Sequence, residues 1–501
     1  MSSDMTFSLP EKGNLIIGQS FLFTVKLLSD EIIDSSSTIS FFNNKNISIP
    51  TEDITLTLES DNKKATATVT LTVINSIAEN EEIYFSVKTS LNGVQQKTLQ
   101  YISKEIYPES LKLIVDNEFL SVPASFNSSQ IGTVSTKVHT IIKDKNGSPL
   151  SGIPIFIKSR IFDQLEEVYI YANDGRTKIN IQKLSLYSGF SINSDNEGKV
   201  EFYISPIKPL PLIIYLSSII KIPSDFSVSD SIIFIIIDDD VGYDQQPPEV
   251  VTAIDGNLTS EGERKFWIDI TPCKNYKIDD FLLFNVNSEY KYYARAIDIN
   301  GDNQCLIKLP YFIFQENKPS QLSYLIIRGN GDTLAKSYPV SVTYRGRPNK
   351  PWKDIDRIYE SCKVYSSFDV LIEQDGGINN QKISNHTNNQ GDAGLFVTIT
   401  GTNDNSDNTK VKLGSEIILT LYINSKNKTV TYPFKNTMPY QPDNEDGKTA
   451  VLKFNIPYDL LNNNLAFPEH DGEIFFDYQV GDDNDRDVTY GGIWSGHIVT
   501  F

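Results

Sequence analysis

The sequence predicts an all-β protein, built as tandem immunoglobulin-like β-sandwich domains in an elongated array. Three observations carry that expectation. In the run ATATVTLTV, Ala65, Ala67, Val69, Leu71 and Val73 fall on one face of a strand and four threonines on the other, a period of two rather than 3.6. Asn-Gly and Glu-Gly turns separate such runs, and glycine there supplies the positive φ that tight hairpins need. The chain also has 501 residues, against about 100 for one sandwich, so roughly four or five such units are expected.

Bulk properties narrow the class. Hydrophobic content of 39% with 11% aromatics can fill several cores, which argues against long disorder. Lys+Arg of 45 against Asp+Glu of 64 gives a net charge of −19, which argues against nucleic acid or an anionic membrane surface as partner. Three cysteines exclude a disulfide-dense scaffold. The start, MSSDMTFSLPEKG, has no basic region followed by an apolar core, so no signal peptide is read there. The most apolar tracts, LIIYLSSII and SIIFIII, fall short of the ~20 residues of a membrane span, so no membrane insertion is expected.

Residues 1–107 read as one sandwich. Phe21, Phe23, Val25 and Leu27 alternate, as do Ile54, Leu56 and Leu58, and nothing has helical spacing. Residues 108–246 read as a second, with an insertion near FDQLEEVYIYANDGRTK expected as an extended hairpin or loop. Its last strand, SIIFIII, has the continuous apolar character of a strand buried on both sides. It runs into Asp238-Asp239-Asp240-Val241-Gly242-Tyr243-Asp244 and then Pro247-Pro248, an acidic, proline-marked domain boundary.

Within the second unit, KVHTIIKDKNGSPLSGIPIFI (137–157) and INSDNEGKVEFYIS (192–205) form one pattern: strand, Asp-x-Asn-Gly-x-Pro-x-x-Gly, apolar strand, then a distal turn and strand. That pattern resembles the group 1 bacterial immunoglobulin-like domain, the module of the intimin and invasin adhesin stalks. The resemblance covers about one domain. It implies a non-enzymatic surface or secreted adhesion protein whose binding unit is C-terminal, here residues 348–501. The implied partner is a host-cell or surface protein or a glycan. The chain lacks that family's signal peptide and membrane barrel, so a released targeting subunit of a toxin-like complex is the first rival reading. A cytoplasmic location is the alternative to the surface.

Residues 247–347 and 348–501 read as two copies of one unit, because FWIDIT is echoed by FVTITG, YKIDDFLLFNV by VKLGSEIILTLYI, and CLIKLPYFIF by VLKFNIPYDLL. LSYLIIRG is then matched by FFDYQVGD, and PVSVTY by HIVTF. RGRPNKPWKD (345–354) is the linker, and residues 355–395 read as an extra region ahead of the last copy.

Chemistry is sparse. The histidines at 139, 386, 470 and 497 are scattered, and no HExxH, Cys-x-x-Cys, GxSxG or phosphate-loop motif occurs. Ser495 and His497 would share a strand face without an orienting third group, so a solvent-face reading wins and no catalytic residue is assigned. Carboxylate pairs such as Asp279-Asp280, Glu166-Glu167 and Asp482-Asp483 suggest a solvated acidic surface, leaving a carbohydrate-active enzyme as the second rival. Cys273 and Cys305 lie on neighbouring elements, where a bridge is open to an exported chain; the commoner reading is a free, buried thiol.

Trp267 reads as core, and Trp352 as packing between the repeat copies. Trp494, beside Tyr490 and two glycines, reads either as an exposed ligand platform or, by the burial tendency of tryptophan, as core. The ligand-binding candidates are Trp494 and Tyr490 with Asp482, Asp483 and Asp485 of the acidic loop, beside the polar loop 379–394. The only metal candidate is a structural calcium on Asp238, Asp239, Asp240 and Asp244, against which stands a plain solvated linker.

Overall fold

The structure is a computed structural model and describes residues 3–123, 134–184, 188–221, 230–237, 242–270, 277, 279–296, 305–385, 393–404, 406–481 and 488–501. The chain divides into two compact units, 1–241 with 327–333 and 242–326 with 334–501. Each contains two β-sandwiches, so the fold is all-β with sandwiches in tandem.

The first sandwich packs two five-stranded sheets. Its central pair, Ser20–Ser29 and Lys64–Val73, sets Phe21, Phe23, Val25 and Leu27 opposite Leu71, Val69, Ala67 and Ala65, which follows directly from the shared period of two. Phe23 and Phe85 meet edge to face at 5.3 Å in the core. The alternating Ile54-Leu56-Leu58 segment crosses between sheets: Ile54–Thr55 pairs with Thr38–Lys45, and Thr57–Leu58 with Lys64–Val73.

The second sandwich packs a five-stranded against a six-stranded sheet. Thr136–Ile141 and Lys199–Pro206 pair antiparallel, with Val138 opposite Phe202 and Thr140 opposite Val200. The two turns of the sequence pattern are built alike. The carboxylate of Asp144 accepts the amides of Asn146 and Ser148, and that of Asp195 accepts those of Glu197 and Lys199, all at 2.8–2.9 Å. Gly147 (φ 81°) and Gly198 (φ 74°) close them in the left-handed region. The expected insertion is a hairpin whose first strand, Val168–Ala172, is integral to the sheet, paired with both Lys199–Pro206 and Lys178–Ile179. Leu212–Ile219 and Ser231–Ile236, the continuous apolar runs, pair with each other and are almost wholly buried.

The third and fourth sandwiches share one topology. In the third, a sheet runs Tyr243–Gln245, Thr333–Ser337, Pro319–Ile327, Phe281–Val286, Glu289–Arg295; in the fourth it runs Arg357–Tyr359, Thr489–Gly491, Gly472–Val480, Glu416–Asn424, Thr429–Thr437. Both first pairs are parallel and both carry a register shift. Single turns of helix follow Pro310 and Pro457 at matching places.

Three expectations are corrected. Residues 355–395 are no addition: Arg357–Tyr359, Lys363–Tyr365 and Gly377–Asn379 take the places of Tyr243–Gln245, Glu249–Val250 and Asn257–Leu258 in the first copy. Tyr243–Gln245 pairs with Thr333–Ser337, so it belongs to the third sandwich rather than to the end of the second. The FWIDIT echo is one residue out of register. Phe266 lies opposite Leu309 and Leu395 opposite Ile456, so Phe266 corresponds to Leu395, and Trp267 to Phe396. Trp267 therefore sits on the outer face, half-buried, with the Lys308 ammonium 4.7 Å from its ring, and is not core.

Candidate functional site

Trp494 and Tyr490, offered as a ligand platform with core as the other reading of the tryptophan, are buried. Each is 3% exposed. The Trp494 indole packs 5.7 Å from Phe476 and donates Nε1–H to the Ile372 carbonyl at 3.2 Å. The neighbouring glycines are not loop punctuation. A Cβ on Gly496 would lie 2.6 Å from the Trp494 ring, and one on Gly491 would lie 2.0 Å from the Tyr478 ring. These glycines make room for aromatic rings, so a Trp-Gly-rich stretch here belongs to the core. Tyr490 lies between the Arg264 and Arg357 guanidiniums, 5.5 and 6.0 Å from its ring.

The remaining candidates do not converge. Asp482, Asp483 and Asp485 lie outside the described residues, as do Asp238, Asp239, Asp240 and His386. Asp244 is exposed, and its carboxylate accepts the Lys336 amide at 3.2 Å. Among the described residues no three His, Cys, Asp or Glu side chains are gathered to hold a metal ion. The two candidate loops leave opposite ends of the last sandwich. Val480, before the acidic loop, pairs with Ile417, whereas Asn379, opening the polar loop, pairs with Val499 at the end where Gly472 meets Ile498.

Ser495 and His497 share the outer strand face, but the Ser495 hydroxyl donates to Asp375 at 2.8 Å and accepts from Gln374 at 3.0 Å. Its proton is committed to a carboxylate in the ground state, which is positioning of a turn rather than activation of a nucleophile. Cys305 is disulfide-bonded, correcting the free-thiol expectation for it; Cys273 lies outside the described residues. Cys362 is free and fully enclosed, and burial pushes its thiol pKa far up, so it stays an unreactive thiol.

What the structure does build is a pair of fastened joints. Between the first two sandwiches, Gln19 is wholly buried. Its Oε1 accepts the Ile16 amide at 3.0 Å and its Nε2 donates to the Pro154 carbonyl at 2.6 Å. Asn193 donates to the Ser8 carbonyl at 2.7 Å, Ser20 N–H to the Ile220 carbonyl at 3.1 Å, and Leu22, Phe156 and Ile219 form a small dry cluster beside them. Lys145 reaches Glu79 and Glu105, each at 3.1 Å.

Between the last two sandwiches, the linker lies down on the fourth. Arg347 stacks on Trp352, 3.9 Å from its ring, and donates to Tyr422 Oη at 3.1 Å. Asn349 Nδ2 donates to the carbonyls of Ile423 and Val430, each at 3.0 Å, and Lys350 pairs with Glu473 at 2.8 Å. Arg357 meets the buried Asp477 carboxylate at 2.6 Å and donates to the Trp352 carbonyl at 3.0 Å. On the other side, Lys353 N–H donates to the Gly262 carbonyl and Arg264 N–H to Asp354, each at 2.7 Å. Trp352, expected between the repeat copies, packs its ring on Arg347 of its own linker, with its carbonyl held by Arg357 of the fourth sandwich.

Sequence reading missed the turn between Lys363–Tyr365 and Leu371–Ile372. Ser366 Oγ accepts the amides of Phe368 and Val370 at 3.3 and 3.2 Å, and Asp369 takes a left-handed φ of 62°. Ser367 N–H donates to the Lys382 carbonyl at 2.8 Å, tying the turn to the short helix Asn380–Ile383. This rigid turn holds Phe368, Val370 and Leu371 in solvent. The one available signal was FDVLIEQD, an apolar stretch too short and too acidic to alternate cleanly.

Fold and joints together define a class, a tandem β-sandwich protein in which the first sandwich is bonded to the second through the buried Gln19, and the linker of the last two is bonded to both of them. No family model and no curated protein matches the sequence. Among solved structures, the Yersinia pseudotuberculosis adhesin InvE is similar at 13% identity and TM-score 0.19, over 47% of this chain and 59% of that one. A tetra-tandem repeat from the extending region of a large adhesion protein is similar at 9% identity and TM-score 0.14, over 99% and 100% of the two chains. The FN1–FN3 domains of chicken CNTN1 are similar at 9% identity and TM-score 0.15, over 79% and 99%. The architecture rests on this chain's own sheets rather than on these likenesses.

Proposed function

We propose that this protein is a non-enzymatic binding protein of the adhesion type, presenting its C-terminal sandwich on a stalk of immunoglobulin-like domains at a cell surface or in secreted form. The observation that carries the reading is the pair of joints, one at Gln19 and one along the linker 345–354. A stalk must transmit position and load from one domain to the next, and hydrogen bonds across a junction resist bending in a way that a Gly/Ser linker does not. The disulfide at Cys305 supports an oxidising, extracellular setting. The twin-turn pattern of the second sandwich, with its intimin/invasin resemblance, supports the adhesin type.

Labelled full-length protein should bind cultured host cells or a glycan array saturably. Residues 345–501, which keep Arg347 and Trp352 together with the complete core of the last sandwich, should compete for that binding. Saturable binding that this fragment fails to compete would move the binding unit elsewhere. No binding to cells, glycans or surface proteins would end the adhesion reading.

A further inference from the structure

We propose that the turn 366–371 of the last sandwich is a docking knob for a partner protein that presents an apolar cleft rimmed by Lys and Arg. The proposal rests on the adhesion reading above and names the contact within it. Phe368 is 47% exposed, Val370 61% and Leu371 42%. Large apolar side chains grouped in solvent on a rigid element mark interaction sites. The turn is rigid because Ser366 holds two of its amides and Ser367 is bonded on both its amide and its hydroxyl. A contact there would be made with little loss of conformational freedom.

Two independent features choose the partner. Between 368 and 375 only Ile372 is buried; Asp369, Glu373 and Asp375 are exposed, and no residue there is a cation. The amine of nearby Lys382 donates to the Gly377 carbonyl at 2.6 Å, while Lys363 stands on the adjoining strand. The first repeat copy makes the same arrangement at its equivalent turn. After Glu249–Val250, Val251 is 50% and Ile254 77% exposed, flanked by Glu249 and Asp255 and again by no cation. Apolar groups ringed by carboxylates in both copies fit a basic-rimmed cleft. They disfavour a second copy of this chain, which would set carboxylate against carboxylate in a protein of net charge −19.

The test uses the full chain and three synthetic decapeptides, alternating Lys-Leu, Lys-Ser and Glu-Leu, with binding followed by fluorescence anisotropy at low and high salt. The Lys-Leu peptide should bind the wild type, more weakly at high salt, and the other two peptides at least about tenfold more weakly. The F368S/V370S double variant should lose about tenfold or more of the Lys-Leu affinity, as expected for truncating an aromatic-centred contact, with melting unchanged because both side chains are exposed. Equal Lys-Leu binding by wild type and variant, or none by the wild type, overturns the knob. So does concentration-dependent self-association that the double variant abolishes, because the occupant would then be a second copy. Cell binding separates the two levels of the argument: a double variant that binds cells as well as wild type removes the knob and leaves the adhesion reading standing, whereas a wild type that binds the Lys-Leu peptide but no cell removes only the latter.

Discussion

Arg357 and the buried Asp477, 120 residues apart in sequence, form an ion pair with two guanidinium bonds to the carboxylate, at 2.6 and 3.4 Å. The same guanidinium holds the Gly491 and Trp352 carbonyls, so one side chain ties the linker to the neighbouring strands Thr489–Gly491 and Gly472–Val480 of the last sandwich.

Removing one member of such a pair leaves a buried charge. Arg357→Met should destabilise the last sandwich by about 3–5 kcal/mol, read by chemical denaturation. Arg357→Met with Asp477→Leu should recover much of that loss, because no charge is then left in the interior.

The pair also sets a pH dependence. Burial raises the Asp477 carboxyl above its ordinary range, and the Arg357 charge partly opposes that rise. With a raised pKa the folded state binds the proton more tightly than the unfolded state does. Stability from this group is therefore greatest at low pH and falls as pH rises through the raised value. Arg357→Met removes the opposing charge and pushes the carboxyl further up. The variant's deficit should be small near pH 4 and larger at pH 8, in melting curves compared with wild type. An equal deficit at both would mean that Asp477 stays ionised throughout.

At the first joint, Gln19→Leu keeps the volume and orphans the Ile16 amide and the Pro154 carbonyl, each at about 1–3 kcal/mol. The first two sandwiches should lose cooperativity with one another, seen as earlier proteolysis near residue 107 and two melting steps in place of one.

Gly198 and Gly93 give a matched pair, with φ of 74° and 83°. A Cβ at 198 would lie 2.7 Å from the Ile142 carbonyl oxygen and 2.8 Å from Pro149, whereas one at 93 would meet nothing within 4 Å. Gly93→Ala should cost only the left-handed backbone penalty of about 1–2 kcal/mol. Gly198→Ala should cost clearly more in the same denaturation assay, since the Ile142 amide bonded to the Gly198 carbonyl at 2.8 Å must also shift.

What the sequence determined by itself is what local spacing determines. A period of two assigns Ala65 to Val73 to their faces without knowledge of the partner strand, and Asp144-x-Asn-Gly and Asp195-x-x-Gly close their own turns through bonds spanning four residues or fewer. The repeat was legible for the same reason, since its strands and their Pro-Tyr ends recur in order. Only the tertiary structure decided the rest. Whether Trp494 is inside depends on Phe476, Ile372 and the space left by Gly496, and whether Trp267 faces out depends on a pairing with Lys308 that a one-residue slip inverts. The exposure of Phe368 and Val370 is likewise set by which strands leave that edge uncovered. Burial is a property of the surroundings, and a linear pattern reports the surroundings only where the neighbours in space are also neighbours in sequence.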